Sequence, residues 1–279
     1  MDSFSNILFY LPFFILFCIL FYYPFKNIIH SIYPTLFIYP QEMPMKIHNL
    51  RDNIPNTRSL FWTGGYDSTF RLCQILYTTR DYVLPIYIAD PGMDGDNIAR
   101  NNRQQEWTAM QEILRELIQK RPDFRNRISP IVVIEEVPLC PYVKKMMMLM
   151  YKKGMNHRPT TQYGAMAQVT INLGRRIELG VENSEHSTMR AIVKDDLIYD
   201  PQLATYRIKS REKIMKNREK WLFAKFDYPI IQYTKEDMYR EAKRDGYEDI
   251  LKKTWSCWFP KGGRPCNKCP MCRERLNMI

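Results

Sequence analysis

Two groups of residues in this 279-residue chain have the types and spacing that chemistry needs. The first is Cys257, Cys266, Cys269 and Cys272, spaced C-x8-C-x2-C-x2-C. Gly262-Gly263 and Pro265 interrupt the run, so four thiolates within 16 residues can fold back into a tetrahedral shell. That ligand set favours Zn²⁺ over an iron–sulfur cluster, and with no open coordination position the metal is structural. A disulfide pair is the alternative, and it needs an oxidising compartment. Cys18, Cys73 and Cys140 stand singly in apolar surroundings and read as small buried hydrophobes. An odd count with one tight cluster points to a metal site in a reducing compartment.

The second group is Thr63-Gly64-Gly65-Tyr66-Asp67-Ser68-Thr69, between an apolar run and a helical pattern. Consecutive glycines let the chain turn sharply and bring backbone N–H groups close to a ligand. A helix start adds unpaired donors and a partial positive charge, which suits phosphate. Thr63, Ser68 and Thr69 add hydroxyls; Asp67 can brace the loop or reach a metal ion. The plain alternative is a Gly-Gly turn followed by a helix cap. The segment is neither GxxxxGK[ST] nor GxGxxG.

These groups need elements to hold them. Ser59–Trp62 reads as a strand, 68–77 as a helix, Val83–Ala89 as a strand and 103–119 as a helix. Ile131–Val137 is a third strand, Met146–Met150 lies in a core-packed helix, 162–173 is a helix stopped by Gly174, and Ile177–Val181 is a fourth strand. Short connections between alternating strands and helices imply an α/β fold, a mostly parallel sheet covered by helices on both faces. Asp90 ends the second strand at the carboxyl edge of the sheet, placed to hold a ribose hydroxyl or Mg²⁺, or only to cap the turn. Thr234 caps a helix with Glu236 and Asp237 in its first turn and Gly246 at its end. In the basic stretch 205–225, Ile208, Met215 and Leu222 are seven apart, which predicts a solvated helix with a thin apolar seam, or else a groove wall for an anionic ligand. His157 and His186 fall in polar loops and are assigned no role.

Composition sets the limits. At 45% apolar with no internal repeat, the chain is neither wholly disordered, nor a solenoid, nor a multi-span membrane protein. Asp2, Lys26 and Glu42 are the charged residues up to Met45, so that stretch sums to −1; the total of +11 leaves +12 on residues 46–279. Anionic partners are expected for the basic part. Residues 7–25 are almost wholly apolar and about the ~20 residues a bilayer core requires. Residues 1–42 are therefore expected to be a membrane anchor leaving the rest in the cytosol, or an over-extended reading frame. The expected divisions are 1–42, an α/β domain over 46–254, and a metal-binding tail over 255–279.

A strand followed by SGGxDS resembles the PP-loop ATP pyrophosphatases, with Thr63 in place of serine and Gly64, Gly65, Asp67 and Ser68 retained. The run TKEDMYREAKRDGYEDILKKTWSCW, followed by PCNKCPMCRER, resembles the C-terminal end of the 7-cyano-7-deazaguanine synthase family, with its TKxE helix, TWSC and zinc-binding CxxCxxC. Together the resemblances span Trp62 to Arg275. They imply that ATP with Mg²⁺ is gripped by residues 63–69 and that Asp67, Ser68 and Lys235 act at its phosphates. They imply further that a small carboxylate, 7-carboxy-7-deazaguanine, reacts with ammonia through an acyl adenylate. Lys235 has a plain alternative, a solvated lysine at a helix start. The chain departs from the family at RNNRQQE over 100–106, which keeps Arg103 and Glu106, and at Pro159-Thr160-Thr161-Gln162. Residues 186–229 have no counterpart. Two other readings stand beside this one: a PP-loop tRNA-modifying enzyme, and a non-catalytic nucleotide-binding or membrane-tethered scaffold. Thiolating relatives use a cysteine pair, which Cys73 and Cys140 do not obviously form.

Overall fold

The computed structural model describes residues 41–49, 56–89, 102–153, 162–185, 187–208 and 218–276. Gln41–Ile279 forms one unit. Its strands are β1 (Ile47–His48), β2 (Thr57–Phe61), β3 (Tyr82–Ile88), β4 (Val132–Ile134), β5 (Ile177–Glu178), β6 (Leu197–Asp200), β7 (Thr205–Ile208) and β8 (Phe226–Asp227). Its helices are α1 (Tyr66–Thr78), α2 (Arg103–Lys120), α3 (Pro141–Lys152), α4 (Gln162–Asn172), α5 (Thr188–Val193), α6 (Lys235–Asp245), α7 (Glu248–Lys252) and α8 (Pro270–Leu276).

Six strands form one sheet in the order β1-β4-β3-β2-β5-β8, parallel throughout except for antiparallel β1 at one edge. Successive strand side chains point to opposite faces, and both faces are apolar. Leu60, Trp62, Val83 and Tyr87 pack on one side with Phe70 and Ile75 of α1, Met110 and Ile113 of α2, and Met238 of α6. Phe61, Leu84, Ile86, Val132 and Ile134 pack on the other with Met146 and Met147 of α3 and Ala165 and Val169 of α4. The sheet is therefore covered on both faces, as the strand–helix alternation implies. Burying each of these large side chains contributes about 1.5–3 kcal/mol.

Two strands are shorter than their apolar runs. The ladder of β4 ends at Ile134, and that of β5 ends at Glu178, before Gly180. Helix α6 follows the reading closely. The Asp237 N–H donates to Thr234 Oγ1 at 3.1 Å and the Thr234 N–H to Asp237 Oδ2 at 3.0 Å, while Gly246 closes the helix at φ +79°.

At its two described ends the stretch 205–225 corrects the sequence reading; residues 209–217, with Met215, lie outside the described residues. Thr205–Ile208 is β7, paired with β6 as an antiparallel hairpin, and Arg218–Lys225 is a 3₁₀ segment; no α-helix occurs among the described residues there. The seven-residue spacing is met differently: Ile208 is buried in a strand and Leu222 in the 3₁₀ turns. The Tyr228 N–H donates to the Tyr206 carbonyl at 2.8 Å, so the hairpin meets the chain just past β8.

Among the described residues no helix is long and apolar enough to cross a membrane. Residues 7–25, Asp90, Arg100, His157, Pro159–Thr161 and His186 lie outside the described residues.

Candidate nucleotide and metal site

From β2 the chain moves outward through β3 to β4, then returns to place β5 on the other side of β2. Strand order thus reverses at the carboxyl ends of β2 and β5, where open α/β sheets bind ligands. The glycine loop follows β2, and Gly180 to Glu182 follow β5. The two meet closely: a Cβ on Gly180 would lie 3.0 Å from the Ser68 nitrogen. Gly64 has φ +71°, and a Cβ there would lie 3.0 Å from Met110 Cγ and 3.2 Å from the Glu106 carbonyl oxygen. Both positions therefore require glycine, the first for close approach and the second for close approach and backbone angle.

Gly65 is the N-cap of α1 and offers no side chain to its first amides. The 13-residue helix thus presents a bare N-terminus at the loop. Ser68 Oγ lies 3.4 Å from the Gly65 carbonyl. Thr69 is turned inward: its hydroxyl is buried and accepts from the Trp62 indole N–H at 3.0 Å. It braces the loop from below and stands apart from Thr63 and Ser68.

Lys235 is the first residue of α6, and the Thr234 cap fixes where its side chain starts. Its ammonium bonds Asp67 of α1 and lies 3.0 Å from Glu182 Oε2 and 5.1 Å from the Tyr66 ring centre. The Lys235 side chain is 17% exposed, so it is not a solvated surface lysine. Burial alone would lower its pKa, but Asp67 and Glu182 outweigh burial and raise it above the ordinary lysine value. Burial, then the Asp67 charge, push Glu182 up to about 7 against the pull of Lys235. Burial pushes Tyr66 up to about 12.

Support comes from both neighbouring units. Glu106, at the start of α2, accepts from the Tyr87 hydroxyl and from Asn102 Nδ2, each at 2.9 Å. Under α1, buried Arg71 donates to both oxygens of Glu178 on β5, at 2.7 and 2.9 Å. Arg58 of β2 adds a third bond at 3.1 Å.

At the tail, the four cysteine sulfurs lie within 4.8 Å of one another and none is in a disulfide. A tetrahedral site with bonds of about 2.3 Å separates its sulfurs by about 3.8 Å; Cys266 Sγ and Cys272 Sγ are 3.9 Å apart. The Cys266 N–H points to Cys257 Sγ at 3.2 Å and the Cys269 N–H to Cys266 Sγ at 3.3 Å. Asn267, at φ 54°, makes the tight turn between them. Backbone donors aimed at thiolates fit four cysteines placed to bind a metal ion.

The two centres are joined. The Trp255 N–H donates to the Gly64 carbonyl at 2.9 Å, and its indole N–H to the Cys257 carbonyl at 2.8 Å. Arg275 of α8 donates to the carbonyls of Thr254 and, at 2.8 Å, Lys252. Sequence reasoning did not single out Gly180, Glu182, Glu178 or Trp255 as site residues. Gly180 falls within the run read as a strand, which hides its role, and the Arg71–Glu178 pairing across 107 residues left no signal.

This is a mostly parallel α/β fold with a glycine loop at its switch point and a four-cysteine tail. The family model described as Queuosine biosynthesis protein QueC matches residues 167–278, consistent with a QueC-like member of the PP-loop superfamily. The match takes in Gly180, Glu182, Lys235 and all four cysteines; the glycine loop precedes it. No curated protein matches the chain.

Proposed function

We propose that the protein is an ATP-dependent ligase that adenylates a carboxylate, with 7-carboxy-7-deazaguanine as the acid and ammonia as the nitrogen source, giving 7-cyano-7-deazaguanine. The observation that carries this reading is the bond between Lys235, in the family-matched part, and Asp67, in the glycine loop that precedes it.

In this reading the triphosphate lies across the loop Thr63 to Ser68 and the bare start of α1, with Mg²⁺ accompanying it. A carboxylate is a poor electrophile. Its oxygen attacks the α-phosphorus of ATP, pyrophosphate leaves, and the acyl adenylate gains a good leaving group. Ammonia then displaces AMP to form the amide; the amide oxygen attacks the α-phosphorus of a second ATP with loss of a second pyrophosphate, and departure of AMP with loss of the two N–H protons leaves the nitrile. Lys235, the loop amides and Ser68 offset the charge that develops on the departing pyrophosphate. The four cysteines hold Zn²⁺ as a structural ion that anchors Trp255 against Gly64.

The test is pyrophosphate release from ATP with 7-carboxy-7-deazaguanine and ammonium, compared with bulk tRNA. Release with the acid is expected; Ser68→Ala and Asp67→Ala should abolish it with metal content unchanged. Release driven by tRNA alone would replace this reading with tRNA modification. For a thiolating version of that chemistry, Cys73 and Cys140 give no support: both are buried, in the cores on opposite faces of the sheet.

A further inference from the structure

Lys235 is shared. Its three N–H donors serve Asp67 from α1 and Glu182 from the loop after β5, and both carboxylates lie in partly buried surroundings. The charged and titratable groups facing Glu182 are Lys235 at the start of α6, Asp67 and Tyr66 at the start of α1, and Glu274 on α8. Lys235 is the one cation among these four; two of the others are carboxylates. A polyphosphate arriving at the loop adds several negative charges and competes for the same ammonium. Asp67 lies in the first turn of the 13-residue helix α1. Glu182 lies outside any helix, beside two further acids.

We propose that Glu182 is a positioning residue that holds Lys235 in place before the nucleotide arrives and yields it to the phosphates by taking up one proton. The inference rests on the nucleotide reading of the loop given above. Its chemistry balances simply: a proton from solvent goes to the Glu182 carboxylate as the ammonium turns to the phosphate oxygens, and no covalent bond changes. With Glu182 already pushed up to about 7, the proton is available near neutrality. Binding then prefers the protonated form, so affinity must fall as pH rises above about 7, approaching about tenfold per pH unit for one linked proton.

The test is calorimetric titration of the full chain with MgATP at pH 8, in Tris and in HEPES, whose ionisation heats differ. Magnesium keeps the nucleotide itself ionised at that pH. The wild-type protein should take up close to one proton per nucleotide, and its Kd should weaken steadily between pH 7 and 9. In Glu182→Gln the uptake should vanish and the Kd should become flat over that range and tighter than wild type at pH 9. Heats in the wild type that do not depend on buffer overturn the proposal without recourse to any variant. Proton uptake that persists in Glu182→Gln overturns it as well, by assigning the proton elsewhere. Absence of MgATP binding by both proteins at every pH overturns the nucleotide reading itself, and the inference with it.

Discussion

Gly64 and Gly180 are both required as glycine, for different reasons. Gly64 must adopt a left-handed backbone, which costs an L-residue about 1–2 kcal/mol, and its missing Cβ makes room for Met110 and the Glu106 carbonyl. Gly180 has no special backbone angle, but a methyl there would meet backbone atoms of Asp67 and Ser68 rather than a side chain that could move aside. Gly64→Ala is therefore expected to lower the melting temperature by about 2–4 °C for each kcal/mol lost, read by calorimetry. Gly180→Ala is expected to weaken MgATP binding about tenfold or more, because 1.4 kcal/mol of displacement is enough to do so. Unchanged affinity would mean that the gap between β5 and α1 widens freely. Gly64 was legible from the sequence because glycine pairs after a strand have a turn to make. Gly180 was not, because its partner is 112 residues away.

At the scale of elements, the position of α1 depends on an Arg–Glu–Arg cluster beneath it. Arg71 and Glu178 are almost fully buried, and Arg58 links the same carboxylate to Asp81 at 2.5 Å. Removing the central charge leaves the buried Arg71 guanidinium without its carboxylate, bonded to neutral Gln74, while Arg58 keeps Asp81, so Glu178→Ala should cost about 3–5 kcal/mol. A lower urea midpoint with an unchanged slope would register this. The exposed Arg240–Asp237 pair on α6, by contrast, sits in water, where such pairs contribute about 0–1 kcal/mol. The strand–helix alternation was legible because each element has its own apolar period. The described ends of 205–225 were misread because Ile208 and Leu222 share a helical spacing, yet Ile208 reaches the core from a strand and Leu222 from 3₁₀ turns.

For the molecule as a whole, the tail and the loop behave as one assembly. Trp255 bonds the loop at Gly64 and the metal-binding segment at Cys257, and Arg275 of α8 holds the chain just before it. Chelating the metal, or Cys269→Ala, should therefore release the ion and weaken MgATP binding together, measured by metal content and by calorimetry on the same samples. A folded, metal-free protein with undiminished nucleotide affinity would show that the loop holds its shape alone. Coupling over this distance needs no long pathway: it is two hydrogen bonds from one residue.

What the sequence by itself determined is local: the four-cysteine spacing, the glycine turn after β2, the caps of α6, and the alternation that makes a parallel sheet. Each depends on residues a few positions apart, whose geometry the backbone sets directly. The tertiary structure alone decided that β5 returns beside β2, and so that Glu182 and Lys235 join Asp67, that Thr69 faces the core, and that Trp255 closes on Gly64. Those contacts follow from strand order, and strand order is settled by how two apolar sheet faces are covered, not by any short run of the chain.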